Sequence, residues 1–297
     1  MILKSRGKIT DDLYAVGGPE LPAYLLLGEK PALFDAGMTF MGPVYLRELK
    51  ELLGDPDRLH YNFLTHSHFD HCGATPYLKR HIPGLKIGAT RPAAETLNRP
   101  SAIELIRSLC RDYEEKHPEL IGGEDVSFNA LQVDLVLEDG DEVDLGGGLS
   151  FGALATPGHT RDSMCFYIPR FKAVITGESI GVFDGNFTIH PEFLASYKDY
   201  ASSLLKIAAL DIEMILMCHQ FVLTGDDARG YMKKTIERTE AFRQRILDYL
   251  DQFNGDRATV VRRIYKEDFE DTGAILQEKR PFLINLEAKV RVVAEGK

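Results

Sequence analysis

One short segment of this chain crowds metal-ligand side chains directly after an apolar run. Residues 62–73 read NFLTHSHFDHCG, and six consecutive positions hold the four side chains His66, His68, Asp70 and His71. An apolar run that stops at polar residues is typical of a buried strand that ends in a loop. Clustered imidazoles need compensating partners when they are buried, and imidazole with carboxylate is a ligand set for zinc or iron. The segment therefore predicts a metal centre at the end of a strand.

The spacing divides these four side chains between two ions. His66 and His68 alternate, so an extended chain projects both of them toward one side. Asp70 and His71 lie beyond the point where this alternation ends, and we expect them to face a second ion about 4 Å from the first. Four residues do not complete two sites, so further ligands are expected from other strand ends.

Three further side chains occupy such strand-end positions. LATPGHT contains His159, AVITGES contains Glu178 and ILMCHQ contains His219, each after an apolar run and before a turn. The predicted metal ligands are therefore His66, His68, Asp70, His71, His159, Glu178 and His219. The remaining histidines lack this context and are interpreted as structural: His60, His81, His117 and His190. His190 is also a candidate to line a pocket. The sequence indicates no substrate-binding residue.

Composition limits the partners of the chain. Its 297 residues are 44% hydrophobic, which suits one large α/β domain with additions. The formal net charge of -10 argues against a nucleic-acid partner, because such proteins usually carry a basic stripe. No apolar run approaches the length of a membrane span. Charges interrupt the first residues, MILKSRGKITDD, which argues against the apolar core of a secretory signal. We expect a cytoplasmic protein with no membrane partner.

The cysteines are predicted to be reduced thiols. Cys72, Cys110, Cys165 and Cys218 are scattered without CxxC spacing, and cytoplasmic thiols stay reduced. Cys72 and Cys218 each adjoin a predicted ligand. Because neighbours on a strand point to opposite faces, we interpret both as core thiols rather than ligands.

The pattern of elements changes near residue 226. Short apolar runs with turns fill the first part, together with a helix predicted over Ser101–Lys116 with a serine cap. Helical patterns follow from residue 226 onward. We predict a catalytic domain over residues 1–225 and a helical extension over 226–297. The stretch 101–129 and the extension are expected to cover the metals and to set substrate choice, although the extension is also a candidate dimer element.

These residues resemble a known family. THSHFDHCG is similar to the HxHxDH signature of the metallo-β-lactamase-fold hydrolases, and GHT at 158–160 and the strand-end His219 match later motifs in the same order. LFDAG at 33–37 resembles the early strand and Asp-Gly turn of that family. The resemblance covers roughly residues 10–225. It implies an α/β fold, an αββα sandwich with metals at one edge, here with a C-terminal helical extension.

The same resemblance implies a division of the ligands. The first metal takes the three histidines His66, His68 and His159, and the second takes the three side chains Asp70, His71 and His219. The family usually has an aspartate where this chain has Glu178, and that carboxylate normally bridges the two ions. Glutamate is one methylene longer, so Glu178 bridges only if its backbone lies farther back. The alternative is that Glu178 hydrogen-bonds a metal-bound water.

Within this family the chain is similar to the glyoxalase II-like thioester hydrolases, and most of all to the thioesterases of the quinolone-signal pathway. GHTRDS followed by CFY, the helical segment near Ser101 and the helical tail carry this likeness. It implies two divalent ions, zinc or iron, and a bridging hydroxide that attacks the ester or thioester of a small acyl substrate. Asp70 would orient the hydroxide as the catalytic residue.

Two alternatives to a thioesterase stay open. Lactone hydrolysis uses the same attack on a carbonyl, and a regulatory effector would keep the fold and metals but act through a partner surface. Other relatives fit less well. A β-lactamase would be exported, and no export signal is expected here. A nuclease would need a basic surface, whereas the net charge is -10. An oxygen-reducing di-iron protein of this fold would replace one histidine of the motif with an acid and add a flavodoxin domain, and neither is seen in this sequence.

Overall fold

The computed structural model describes residues 1–296 and builds two seven-stranded sheets that lie face to face. The first sheet follows the order β2-β3-β4-β5-β6-β7-β8. Its strands are β2 Gly7–Lys8, β3 Leu13–Val16, β4 Ala23–Leu26, β5 Ala32–Phe34, β6 Tyr61–Phe63, β7 Lys86–Thr90 and β8 Leu135–Leu137, numbered after β1 Ile2–Lys4 of the second sheet. Strands β5 to β8 run parallel to one another, whereas β2 to β5 form an antiparallel meander.

The second sheet follows the order β1-β16-β15-β12-β11-β10-β9. Its remaining strands are β9 Glu142–Gly146, β10 Leu149–Ala155, β11 Met164–Ile168, β12 Ala173–Ile175, β15 Met214–Leu216 and β16 Phe221–Thr224. A separate ribbon pairs β13 Val182–Phe183 with β14 Ile189–His190. Strand β12 pairs with β15 in parallel, and β10 runs in the same direction because two antiparallel pairings separate it from β12. The carboxyl ends of β10, β12 and β15 therefore meet at one edge.

Aromatic side chains fill the space between the sheets. The ring centroids of Phe34 and Phe151 lie 5.1 Å apart in an edge-to-face pair, and those of Phe63 and Phe151 lie 4.7 Å apart. Phe166 joins the same buried cluster. Such pairs contribute stability beyond the apolar area that they bury. This shared core fixes the two sheets against each other, and with them the strand ends that carry the ligands.

Helices cover the outer face of each sheet. Against the first sheet lie α1 Gly42–Leu53, α2 Phe69–Cys72, α3 Thr75–His81, α4 Arg91–Leu97, α5 Pro100–Lys116 and α6 Pro118–Ile121, several of which contribute to one apolar cluster. Against the second lie α7 Tyr197–Ala208, α8 Asp226–Gln252, α9 Arg257–Tyr265 and α10 Lys279–Ala294, with a second cluster. The layers are therefore helix, sheet, sheet and helix, and the predicted αββα fold with C-terminal helices is confirmed.

Two local expectations differ from the structure. Helix α5 begins at Pro100, its N-cap is Arg99 and no side chain caps it, so the predicted serine cap at Ser101 is wrong. Proline suits the first helical position because its fixed φ is already helical, and this starts the helix one residue before Ser101. The strand expected to reach the histidines ends at Phe63, so all four clustered ligand side chains lie in the following turn and in α2.

Within residues 1–296, no helix combines the length and apolar character needed to cross a membrane. All four cysteines are free, as predicted, and all are buried, which was predicted for Cys72 and Cys218.

Candidate metal centre

The predicted ligands stand a few residues beyond the ends of strands from both sheets. His66 follows β6, which ends at residue 63, and His159 follows β10, which ends at residue 155. Glu178 follows β12, which ends at residue 175, and His219 follows β15, which ends at residue 216. The rigid sheets thereby deliver side chains that are distant in sequence to one edge of the sandwich.

The first cluster combines three histidines with a carboxylate. One donor atom from each of His66, His68, His159 and Glu178 lies within 4.8 Å of the others. Glu178 Oε2 is 2.6 Å from His159 Nε2, 3.5 Å from His66 Nε2 and 3.9 Å from His68 Nδ1. His68 Nδ1 is in turn 3.0 Å from His159 Nε2. Three imidazoles and one carboxylate around a common point are a donor set for zinc or iron.

The second cluster lies beside the first and shares Glu178. Donor atoms of His71, Glu178, Cys218 and His219 also lie within 4.8 Å of one another. The other oxygen of Glu178, Oε1, is 3.7 Å from His219 Nε2. Asp70 Oδ2 is 3.7 Å from His219 Nε2 and 3.9 Å from His71 Nε2. The structure thus brings all seven predicted ligands together, with the two oxygens of one carboxylate turned to different clusters.

Asp35 orients two of the histidines. Its Oδ2 lies 2.9 Å from His71 Nδ1, and its carboxylate accepts hydrogen bonds from the backbone N–H and the hydroxyl of Thr65. The Thr65 hydroxyl oxygen lies 3.0 Å from His66 Nδ1 and accepts its proton, because the hydroxyl hydrogen is committed to Asp35. Partners of this kind fix the ring and its tautomer so that Nε2 keeps its lone pair for a metal.

Backbone carbonyls orient two more rings. His159 Nδ1 lies 2.7 Å from the carbonyl oxygen of Glu192, and His219 Nδ1 lies 2.7 Å from that of Glu20. Each imidazole donates its Nδ1–H to the carbonyl and turns Nε2 inward. None of Asp35, Thr65, Glu192 and Glu20 was identified as a partner from the sequence, although the LFDAG motif already marks Asp35.

Two buried nitrogen atoms lack a partner. His66 Nε2 and His71 Nε2 are each buried and accept no hydrogen bond. A buried polar atom left unsatisfied costs roughly 1–3 kcal/mol, so each of these nitrogen atoms is expected to have a bound ligand. A metal ion at each cluster would satisfy one of these nitrogen atoms, so the side chains present fit metal ions at both clusters.

The electrostatics match a site for cations. Burial lowers the pKa of His66 well below its ordinary value, which keeps that ring neutral and able to ligate. Burial opposes the charge of Glu178, but His159 and the other imidazoles outweigh it and hold the carboxyl pKa well below its usual range. Burial also opposes charge on His159 and His71, but the nearby carboxylates outweigh it and raise the pKa of both rings. Glu178 is therefore an anion, and a cation bound at the centre would displace protons from these imidazoles.

Two glycines allow the close approach of the ligand loops. A Cβ on Gly158, whose φ is 136°, would lie 2.3 Å from the Cα of Tyr200. A Cβ on Gly177, whose φ is 49°, would lie 2.9 Å from the hydroxyl of Thr65. These positions immediately precede His159 and Glu178, so only glycine lets both ligands reach the centre without displacing their neighbours.

Cys218 differs from its prediction in one respect. It is buried, as expected, but it does not face away from the ligands, because its sulphur belongs to the second cluster. The expectation rested on strand alternation, and strand β15 ends at Leu216, two residues earlier. Alternation no longer applies there, so Cys218 and His219 both turn toward the centre. Cys72 behaves as predicted, with its thiol donating to the carbonyl of Ser67 at 3.6 Å.

A cavity of about 320 Å³ opens onto the centre. Asp70, Glu178 and His219 lie in its wall. Much of the remaining wall is aromatic and comes from Phe40, Phe69, Tyr113, Phe183 and Phe282. The segment that connects α9 to α10 also lines it, through Ile275, Leu276, Gln277 and Glu278. His190, the candidate to line a pocket, does so, and His117, which was interpreted as structural, lines this cavity as well.

The fold and the paired clusters define an αββα sandwich of the α/β class with candidate metal-donor clusters at one edge. The chain belongs to the metallo-beta-lactamase superfamily, whose family model matches residues 22–219. It is 25% identical over 177 residues to a probable metallo-hydrolase of Burkholderia pseudomallei, which covers 57% of this chain and 54% of that protein. It is 27% identical over 197 residues to an atrochrysone carboxyl ACP thioesterase of Aspergillus fumigatus, covering 66% of this chain and 49% of the thioesterase. The chain thus spans about half the length of these two relatives.

Solved structures share the fold. An archaeal metallo-beta-lactamase superfamily protein from Sulfolobus tokodaii matches with a TM-score of 0.57 and 23% identity, over 78% of this chain and 86% of the other. A B3 metallo-beta-lactamase described as having an active-site glutamic acid matches with a TM-score of 0.58 and 21% identity, over 79% and 88% of the two chains. These two structures therefore share the sandwich fold with this chain.

Proposed function

We propose that this chain is a hydrolase with a dinuclear metal centre that cleaves the ester or thioester bond of a small acyl substrate. The observation that carries the proposal is that two donor clusters share Glu178 and lie in the wall of a cavity. His66, His68 and His159 would hold one ion, Asp70, His71 and His219 the other, and Glu178 would lie between them. When bound, divalent zinc or iron lowers the pKa of water toward about 7 and polarises a carbonyl oxygen.

Asp70 is the residue that we assign to catalysis. Its Oδ2 lies between His71 and His219, and its side chain lines the cavity while 12% of it is exposed. A carboxylate at this point accepts a hydrogen bond from an attacking water and aims it toward the substrate carbonyl. The same group also contributes negative charge to the second cluster, so it binds and orients at once.

The cavity supports a small acyl substrate. Its volume of about 320 Å³ lies at the lower end of the range for small-molecule sites, roughly 300–1,000 Å³. Aromatic and apolar side chains provide about half of the residues in the wall, and Asp70, Glu178 and His219 bring the centre into the same cavity. An apolar acyl group would fit against the aromatic wall and place its carbonyl at the clusters.

A thioester is the substrate that the resemblances favour. The motifs GHTRDS and CFY resemble those of glyoxalase II-like thioesterases, including those of the quinolone-signal pathway. One relative, from Aspergillus fumigatus, is named as an acyl-carrier-protein thioesterase. Lactones and oxo-esters present the same carbonyl carbon to attack, so they form the second arm of the test.

The test is hydrolysis of a panel of acyl thioesters, oxo-esters and lactones, measured with and without a chelator. We expect thioester turnover that the chelator abolishes and that added zinc or iron restores. His66→Ala should lose this turnover while His60→Ala, which changes an exposed histidine outside both clusters, retains it. Turnover that survives the chelator would overturn the metal mechanism, and turnover confined to lactones would replace the thioester by a lactone. A metal-loaded protein that hydrolyses nothing on the panel would favour a regulatory effector.

A further inference from the structure

We infer that Cys218 is a thiolate donor to the second metal position, which makes that position softer than the first; this inference rests on the proposed dinuclear centre. The sulphur of Cys218 lies within 4.8 Å of donor atoms of His71, Glu178 and His219. The residue itself is 5% exposed. The thiol therefore belongs to the same buried donor set as the imidazoles around it.

The backbone holds Cys218 and His219 against the centre together. Strand β15 stops at Leu216, and the next residues form a tight turn in which Gln220 adopts a positive φ of 65°. The N–H of Gln220 donates to the carbonyl of Pro19 at 2.5 Å, and the His219 ring is held by the carbonyl of Glu20. Two contacts with the segment before β4 thus anchor the turn, one through the His219 ring and one through the Gln220 backbone.

A second observation points to a ligand at this place. His71 Nε2 is buried without a hydrogen-bond partner, and it belongs to the cluster that contains the Cys218 sulphur. The other nitrogen of the ring is held by Asp35, so Nε2 is not free to turn toward another group. An ion shared by His71, His219 and the Cys218 sulphur would satisfy this atom.

A sulphur donor would change which ions the second metal position prefers. Thiolates favour zinc and other soft cations over magnesium or manganese, whereas imidazole and carboxylate discriminate less. A thiol that coordinates a metal gives up its proton to solvent when the ion binds. The two metal positions of this chain would then differ in kind, with nitrogen and oxygen donors at the first and an added sulphur donor at the second.

The experiment is cobalt substitution of the full chain. Thiolate ligation gives Co²⁺ an intense charge-transfer absorption in the near ultraviolet, which nitrogen and oxygen ligands do not. We expect this band to rise as the second equivalent of Co²⁺ binds to the unaltered protein. It should be absent from Cys218→Ser and from Cys218→Ala. The matched control is Cys72→Ser, which also removes a buried thiol next to a predicted ligand and should retain the band.

The outcomes separate this inference from the proposed function. Two bound Co²⁺ ions without the band in the unaltered protein would overturn sulphur ligation and leave the dinuclear centre standing. A band that persists in both Cys218 variants would also overturn it. Failure to bind any Co²⁺ by the folded protein would overturn the inference and the proposed centre together. Because the unaltered protein carries the decisive absorption, the result does not depend on the folding of a variant.

Discussion

Glu178 and His159 are in direct contact, with Oε2 of the carboxylate 2.6 Å from Nε2 of the imidazole. The second oxygen of Glu178 points the other way, 3.7 Å from Nε2 of His219. A single side chain thus reaches both donor clusters. It is one methylene longer than the aspartate that the family usually has at this position. Gly177, whose φ is 49°, immediately precedes Glu178 and allows this loop to approach Thr65 closely.

The first prediction concerns the charge and length of this side chain. Glu178→Gln should weaken the second metal more than the first, because three histidines still hold the first ion. We expect the loss to exceed the roughly 10–100-fold that removal of an outer partner costs. Glu178→Asp keeps the charge but shortens the arm by about 1.5 Å, so it should bind two ions less tightly than the natural chain. Metal titration of both variants checks this, and two unchanged affinities would exclude Glu178 as a ligand.

The second prediction concerns Asp35. Asp35→Ala removes the acceptor of His71 and the partner of Thr65, so two imidazoles lose their fixed orientation. Metal affinity should fall by roughly 10–100-fold, while circular dichroism shows a folded chain. Asp11→Ala is the matched control, because Asp11 is an exposed aspartate whose side chain is 92% accessible. Equal metal affinities for the two variants would remove Asp35 from the centre.

The third prediction concerns a buried ion pair that joins the C-terminal helix to the centre. Lys289 Nζ on α10 lies 2.7 Å from Oε1 of Glu192, and both side chains are less than 10% exposed, at 5% and 8%. The carbonyl of the same Glu192 holds the His159 ring. Lys289→Met removes the cation and leaves the Glu192 carboxylate buried without its partner. This should lower the free energy of unfolding by about 3–5 kcal/mol.

The double variant Lys289→Met with Glu192→Gln is the control for this pair, since it removes the uncompensated charge. Its stability should recover much of the loss in a chemical denaturation experiment. A single variant as stable as the natural chain would mean that the pair does not couple the helix to the centre.

The fourth prediction concerns the segment between α9 and α10. Leu276 is 56% exposed and lines the cavity, so Leu276→Ala should raise KM or change the preferred acyl chain without changing metal content. Leu205→Ala is matched in type and close in exposure, at 61%, and lies on α7 outside the cavity wall. Identical kinetics for the two variants across the acyl panel would argue against a role for the extension in substrate choice.

The ligands could be predicted from the sequence because each is marked locally. An apolar run followed by histidine or glutamate identifies a strand end, and the order of the motifs supplies the pairing of distant segments. The layered fold followed from the same motifs by resemblance. The N-cap of α5 lies at Arg99, two residues before the predicted Ser101, because Pro100 is favoured at the first helical position.

The supporting groups could not be predicted in the same way. His159 and His219 are oriented by the carbonyls of Glu192 and Glu20, and a backbone carbonyl carries no residue-specific signal. The sequence pattern extends the strand to His219 and so assigns Cys218 to the face opposite His219, whereas β15 ends at Leu216 and strand alternation no longer decides which way Cys218 points. Only the tertiary arrangement shows these relationships.

The most direct test of the account is the metal content of the folded chain in relation to its activity. Metal-free protein should be titrated with zinc or iron while bound metal and thioester hydrolysis are measured in the same samples. The account predicts about two ions per chain, with hydrolysis appearing as the pair is completed. A folded chain that binds no metal, or that hydrolyses the thioester equally well before any metal is added, would contradict it.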